Sequence, residues 1–147
     1  MKQKDFLAAL DQPRIVAAIA EAERETSGEI RIHIQPHAAG GDIRFVAEKT
    51  FERLGMTKTQ LRNGVLLFIA SEIRQFVILG DSGIDAKVPA GFWDDISAGL
   101  AARFKAGEFT EGIVEAIRRC GEKLAAFFPR AEDDVDELPN EIDVSDD

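Results

Sequence analysis

Two apolar runs joined by a short linker place the strongest constraint on how this chain can fold. Residues 65–70 and 75–80 are almost entirely apolar, and only four residues join them. A linker of that length predicts an antiparallel hairpin. Strands without polar residues on either face are typical of a sheet that is covered on both sides. The sequence therefore predicts a sheet with helices packed against both of its faces.

A third strand is predicted at residues 29–35, where polar and apolar residues alternate strictly. Its isoleucines would face the core, and its other face, which carries Arg31, His33 and Gln35, would be wetter. A helix separates this strand from the run at 65–70, so the usual right-handed crossover makes these two strands parallel.

Apolar residues at helical spacing predict one helix before the first strand, one between the first two strands and two after the hairpin. These helices are expected near residues 11–26, 43–54, 92–104 and 113–128. Asp11 and Asp42 precede two of them as N-cap residues. The predicted fold class is α/β, a three-layer α-β-α sandwich with a small mixed sheet and the element order α-β-α-β-β-α-α.

Charge divides the chain into two parts. Residues 130–147 contain nine acidic residues and one basic residue, which leaves 17 basic and 18 acidic residues in 1–129. We expect one α/β domain at 1–129 and an acidic, disordered tail at 130–147, because the tail has too little apolar surface to offset the entropy of ordering. A solvated tail is the simplest interpretation, and a tail that collects metal ions or binds a partner is the alternative.

Composition excludes several classes of function. The near-neutral body and the acidic tail lack the basic stripe that binds nucleic acid. A single cysteine excludes a disulfide framework and a zinc knuckle. No stretch approaches the roughly 18 apolar residues of a membrane span, and the first residues lack the apolar core of a signal peptide. We therefore expect a cytoplasmic protein that does not span a membrane.

Strand direction predicts one candidate site. The first two strands are parallel and the third runs back, so the starts of the first two and the end of the third should meet at one edge of the sheet, which we call the rim. The oxygen-bearing residues at the rim are Glu29, Asn63, Asp81 and Asp85, and the basic residue is Arg62. Carboxylate and amide oxygens are ligands for Ca²⁺ or Mg²⁺, and an arginine can bind phosphate. Ordinary turn formation by Asp and Asn is the alternative.

Other chemical motifs are weak. Residues 80–83, Gly-Asp-Ser-Gly, match the nucleophile region of chymotrypsin-type proteases, but that fold is all-β and this chain is mostly helical. His33 and His37 are expected to be half-exposed at the sheet edge, and Cys120 lies on the apolar stripe of a helix. The common nucleophile and phosphate-loop motifs of phosphatases are absent from the sequence.

Several short motifs follow one another along the chain. They are Ser27-Gly28-Glu29-Ile30, Asn63-Gly64-Val65-Leu66-Leu67, Arg74 in the hairpin turn, Gly80-x-x-Gly83-Ile84-Asp85, and Phe104-x-x-Gly107-x-Phe109-x-x-Gly112-Ile113. Together they resemble the TPM domain family over most of the body. The resemblance implies an α/β sandwich, acidic residues near the strand ends that hold Ca²⁺ or a similar ion, and a weak acid phosphatase activity. It makes Asp81 and Asp85 ligand candidates, with Glu29 and Asn63 beside them. Many members carry a signal peptide and a membrane helix, whereas this chain carries an acidic tail.

Two functional hypotheses remain open. In the first, a Ca²⁺ or Mg²⁺ ion held by Asp81 and Asp85 binds a phosphate ester, Arg62 balances charge, and a metal-bound water attacks. In the second, the chain is a non-enzymatic, metal-responsive module that regulates a protein partner. The missing nucleophile and the missing phosphate loop favour the second hypothesis.

Overall fold

The computed structural model describes residues 1–130 and 138–147, and these ranges contain six α-helices and four β-strands. The helices are α1 (Gln3–Ala9), α2 (Gln12–Glu23), α3 (Ile43–Arg53), α4 (Ser82–Asp85), α5 (Phe92–Lys105) and α6 (Phe109–Phe127). The strands are β1 (Glu29–Gln35), β2 (Gly64–Ala70), β3 (Gln75–Gly80) and β4 (Asp143–Val144). A short 3-10 turn, Met56–Lys58, lies between α3 and β2.

The four strands form one mixed sheet in the order β3-β2-β1-β4. β1 and β2 are parallel, with Glu29 opposite Gly64, and β3 runs antiparallel to β2, with Gly80 opposite Val65. These directions confirm the sequence prediction. β2 is buried along its whole length, but β3 is an edge strand, so Phe76 and its neighbours on β3 are only partly covered.

The two faces of the sheet support separate apolar cores. Alternate residues of β1 and β2, such as Ile32 and Leu67, face α1, α2, α5 and α6. The opposite face of β2, including Leu66 and Phe68, packs against α3. The predicted three-layer α/β sandwich is therefore confirmed.

The structure confirms both predicted N-caps and adds three elements to the predicted order. Asp11 accepts a hydrogen bond from the Arg14 backbone N–H at 3.2 Å, and Asp42 accepts one from Phe45 at 2.9 Å. The added elements are α1, α4 and β4. Phe6 anchors α1 in the larger core, where it is 4% exposed. None of the described helices is both long and apolar enough to cross a bilayer.

Residues 138–147 differ from the disordered tail that the scarcity of apolar residues predicts. β4 pairs in parallel with β1, with Asp143 opposite His33 and Val144 opposite Ile34. Ser145 extends this pairing, because its backbone N–H donates to the Ile34 carbonyl at 3.0 Å and its own carbonyl accepts from Gln3 at 2.7 Å. The other expected tail residues, 131–137, lie outside the described residues.

Candidate functional site

The rim forms at one edge of the sheet, as strand direction predicts. Glu29 begins β1, Asn63 precedes β2, and Asp81 follows β3. The Asp81 backbone N–H donates to the Gly64 carbonyl at 2.9 Å. Because neighbouring strands are spaced about 4.8 Å apart, the backbones of Glu29 and Asp81 lie roughly 10 Å apart on either side of β2.

At the rim, Arg62 holds Asp81 through two hydrogen bonds. Arg62 Nε donates to Asp81 Oδ2 at 2.6 Å and Nη2 donates to Oδ1 at 2.8 Å. The Asp81 side chain is only 6% exposed, and its Oδ1 also caps α4 by accepting from the Ser82 backbone N–H at 2.8 Å. The hydrogen bond and the charge of Asp81 raise the pKa of Arg62 above its ordinary value. Arg62 thus neutralises a buried carboxylate, and two nitrogens of its guanidinium group face that carboxylate.

Asp85 and Asn63 have partners of their own. The Trp93 indole N–H donates to Asp85 Oδ1 at 2.9 Å, and Asn63 Nδ2 donates to Ser27 Oγ at 3.4 Å. The indole can lie close to β3 because Gly80 has no side chain: a Cβ there would stand 2.4 Å from Trp93 Cζ2. Asp85 therefore fixes the orientation of the tryptophan that covers the end of β3.

Glu29 lies under the returning end of the chain. It is 2% exposed, and its Oε1 accepts a hydrogen bond from the Leu138 backbone N–H at 2.9 Å. The carboxylate that the sequence places at an open rim is therefore covered by residues that the sequence analysis assigns to the tail.

The oxygen-bearing residues of the rim do not form a ready-made metal site. Within 1–130 and 138–147, no three His, Cys, Asp or Glu side chains are grouped closely enough to hold an ion. Both oxygens of Asp81 already accept N–H groups from Arg62. A cleft of about 190 Å³ beside Asp81 is also lined by Glu48, Glu52 and Arg44, so charges of both signs surround it. An ion would bind Asp81 only in competition with Arg62.

A second polar cluster, which the sequence analysis misses, lies along β1. His33, expected to be half-exposed, is fully buried and its ring stacks on Phe68 with the centroids 5.2 Å apart. Its Nδ1 lies 2.6 Å from Asp143 Oδ2 and its Nε2 lies 2.7 Å from Gln35 Oε1. Gln35 Nε2 donates to the His37 carbonyl at 2.8 Å, which orients the amide. Both ring nitrogens of His33 thus lie within hydrogen-bond distance of side-chain oxygens.

Arg53 of α3 completes this cluster by donating from Nη2 to Asp143 Oδ2 at 3.1 Å. Partial burial of Asp143 opposes its ionisation, but hydrogen bonds and charge from Arg53 and His33 outweigh burial and lower the pKa of this carboxyl. A cleft of about 740 Å³ opens beside the cluster. The signal in the sequence is the polar face of the first strand together with unbalanced acid near the C-terminus, but only strand pairing connects the two.

Cys120 is a core residue, as its helical position predicts. It is 4% exposed, and burial raises the pKa of its thiol to about 12. The thiol therefore stays protonated at neutral pH and is a poor nucleophile.

Comparisons with known proteins identify the family and the fold. The sequence model of the TPM domain matches residues 1–123. No curated protein sequence matches this chain. The solved structure of the BA42 protein from the psychrophilic bacterium Bizionia argentinensis is 42% identical, covers 91% of this chain and 92% of its own, and superimposes with a TM-score of 0.84.

Two more distant structures share the fold alone. The N-terminal domain of a protein from P. gingivalis is 18% identical, with a TM-score of 0.61 and coverage of 75% of this chain and 71% of that chain. The N-terminal domain of the cg2496 protein from Corynebacterium glutamicum is 13% identical, also with a TM-score of 0.61, and coverage is 93% of this chain and 81% of that chain.

Proposed function

Since the chain belongs to the TPM domain family, we propose that it is a non-enzymatic binding module whose rim contacts a protein partner. The Arg62–Asp81 pair carries this proposal. Arg62 is the residue expected to bind a phosphate group. Its Nε and Nη2 both donate to Asp81, so its positive charge is already balanced by that carboxylate. Leu61, which is 52% exposed, stands beside this pair. An exposed apolar side chain next to a fixed ion pair suits a protein interface.

The cysteine and both histidines lie away from the rim. Cys120 is buried in α6. His33 is enclosed by Asp143 and Gln35, and His37 follows the end of β1 that is opposite the rim. The bases that remain at the rim are carboxylates, and those of Glu29, Asp81 and Asp85 each accept hydrogen bonds from protein groups. Catalysis needs a nucleophile or base that is free to reach the reacting atoms, so this placement favours binding over hydrolysis.

A phosphatase assay tests the non-enzymatic part of the proposal. With p-nitrophenyl phosphate and added Mg²⁺ or Ca²⁺, we expect the wild type and the Asp81→Asn/Asp85→Asn double variant to give the same background rate. The Asp146→Asn/Asp147→Asn variant, which removes the same charge elsewhere, is the control. The proposal would be overturned if the wild type and the control both hydrolysed the substrate and the Asp81→Asn/Asp85→Asn variant did not.

Capture experiments with two exposed apolar residues test the binding part. Leu61→Asp places a charge at the rim, whereas Ile73→Asp places one in the β2–β3 turn at the opposite end of the hairpin, where Ile73 is 39% exposed. We expect a partner retained by the wild type to be lost with Leu61→Asp and kept with Ile73→Asp. Loss with both variants, or with neither, contradicts a rim interface.

Divalent-ion binding at the rim is a second candidate function, favoured by the meeting of four oxygen-bearing residues at one edge. If Arg62 competes with the ion for Asp81, Arg62→Gln should bind Ca²⁺ more tightly than the wild type does. An amide NMR titration measures this, with Lys58→Gln as a control that removes one positive charge outside the pair. Equal affinity in all three proteins, or shifts confined to the chain after residue 130, would reject the rim as an ion site.

A further inference from the structure

A cavity of about 500 Å³ lies at the end of the sheet opposite the rim. It is bounded by the end of the β2–β3 hairpin, α1, the last turn of α5 and the α5–α6 turn. We call it the distal pocket, and its main lining residues are Phe6, Arg74, Phe76, Phe104, Lys105 and Phe109. β2 has seven residues, so at about 3.3 Å per residue the pocket and the rim are roughly 20 Å apart. The pocket is therefore separate from the surface proposed above.

Aromatic rings form the walls of the distal pocket. Phe104 lies edge-on to Phe6, Phe76 and Phe109, with centroids 6.1, 5.7 and 5.5 Å away. Phe6 is 4% exposed and belongs to the core, whereas the other three rings are only partly buried. Partly buried aromatic rings around a cavity of this size are typical of sites for small apolar ligands.

Two unpaired cations stand at the mouth of the distal pocket. Arg74 and Lys105 are both exposed, and within the part of the chain that the structure describes neither makes an ion pair. The carboxylate of Glu72, two residues before Arg74, accepts the Gln3 backbone N–H at 3.0 Å and lies 4.0 Å from His37 Nε2, and it makes no ion pair with Arg74 or Lys105. A ligand anion at this mouth would therefore meet free positive charge.

Arg74 also occupies a backbone conformation that hairpin turns commonly give to glycine. Its φ is +55°, in the left-handed region that costs an ordinary residue about 1 kcal/mol. The motif residues Arg74, Phe104 and Phe109, which are far apart in sequence, all line this one cavity.

We infer that the distal pocket binds a small amphiphilic carboxylate. The aliphatic or aromatic body of the ligand lies among the phenylalanine rings, and the carboxylate pairs with Arg74 and Lys105. The guanidinium fork matches a carboxylate in a two-pronged arrangement, and removal of the apolar body from water supplies the remaining affinity.

Octanoate is the probe for this inference, with 1-octanol and acetate as matched controls. In amide NMR titrations of the full chain, we expect octanoate to shift residues around the pocket, including Gln75, Ala101 and Gly107. Octanol, which lacks the charge, and acetate, which lacks the chain, should each bind at least about tenfold more weakly. Equal binding of octanoate and octanol, the absence of shifts, or shifts centred on the rim would overturn the inference.

Three variants separate recognition from a general loss of folding. Arg74→Gly removes the cation and relieves the left-handed strain, so the protein should fold at least as well while octanoate binds about tenfold more weakly. Lys105→Gln should weaken binding in the same direction, and Lys58→Gln, at the rim end, should not. Ala101→Trp fills the cavity from an exposed helix position and should abolish binding. The site would be rejected if Arg74→Gly and Lys105→Gln both bound octanoate with wild-type affinity. It would also be rejected if Ala101→Trp did so.

Discussion

Gly83→Ala should destabilise the protein because Gly83 packs directly against the loop that carries Arg62. A Cβ at this position would stand 2.1 Å from the Leu61 carbonyl oxygen and 2.6 Å from that of Arg62. The Gly83 backbone N–H already donates to the Arg62 carbonyl at 2.7 Å, so the two segments cannot separate without losing this bond. Ordinary carbon–oxygen contacts are about 3.3 Å, so α4 or the loop must move by about 1 Å. Overpacking of this kind costs about 1–3 kcal/mol, which lowers the melting temperature by roughly 3–10 °C in a chain of this size.

Thermal unfolding followed by circular dichroism measures this effect, and Gly99→Ala is the matched control. The nearest atom to a Cβ at Gly99 is Arg119 Nη1 at 3.3 Å, the end of a flexible side chain. Gly99 lies inside α5, where alanine is favoured over glycine by about 1 kcal/mol. We therefore expect Gly99→Ala to melt at or above the wild-type temperature. If Gly83→Ala melts with the wild type, the close approach of α4 to the Arg62 loop does not limit stability, and the reasoning fails.

Three further predictions concern the core and the returning end of the chain. Burial raises the pKa of the Cys120 thiol to about 12, so its reaction with a disulfide reagent should follow global unfolding; fast reaction in the folded state would contradict this. The folded-state pKa of Asp143 is lowered, so its stabilising effect is present above the unfolded pKa and is lost as pH falls through the folded value. Asp143→Asn should therefore lower stability by about 1 kcal/mol near pH 6, and the difference from the wild type should shrink as the pH falls through and below the ordinary aspartate range, which urea titrations at a series of pH values would check. Deletion of residues 131–147 uncovers Glu29 and His33 and should lower the melting temperature measurably, and an unchanged melting temperature would mean that β4 adds no stability.

The sheet and the place of the rim could be predicted because they follow from short-range features. Four residues between two apolar runs permit only a reversal, and a helix between residues 35 and 64 makes β1 and β2 parallel. These two facts bring Glu29 and Asp81 to one edge without any knowledge of side-chain contacts. Helix positions followed from apolar spacing and from the caps at Asp11 and Asp42.

The side-chain contacts at the rim could not be predicted, because they depend on the conformations of long side chains. Arg62 adopts a left-handed backbone conformation, with φ at +51°, and its fork faces Asp81. Nothing in the residue types distinguishes that arrangement from an arginine that faces solvent. The spacing of Trp93 from Asp85 likewise does not reveal that the indole closes over Gly80.

The position of β4 shows why composition alone is a poor guide to where a segment lies. Residues 130–147 contain nine acidic residues and few apolar ones, which predicts that the segment stays in solvent. Composition does not show individual contacts, however: the Asp143 side chain is 27% exposed, and its Oδ2 lies 2.6 Å from Nδ1 of the fully buried His33 and 3.1 Å from Arg53 Nη2. A buried polar group that loses its hydrogen-bond partner costs about 1–3 kcal/mol, and this favours the paired position of the segment. The register of the β1–β4 pairing therefore decides which acidic residue contacts His33. Asp143 stands opposite His33, and the other acidic residues of 138–147 do not.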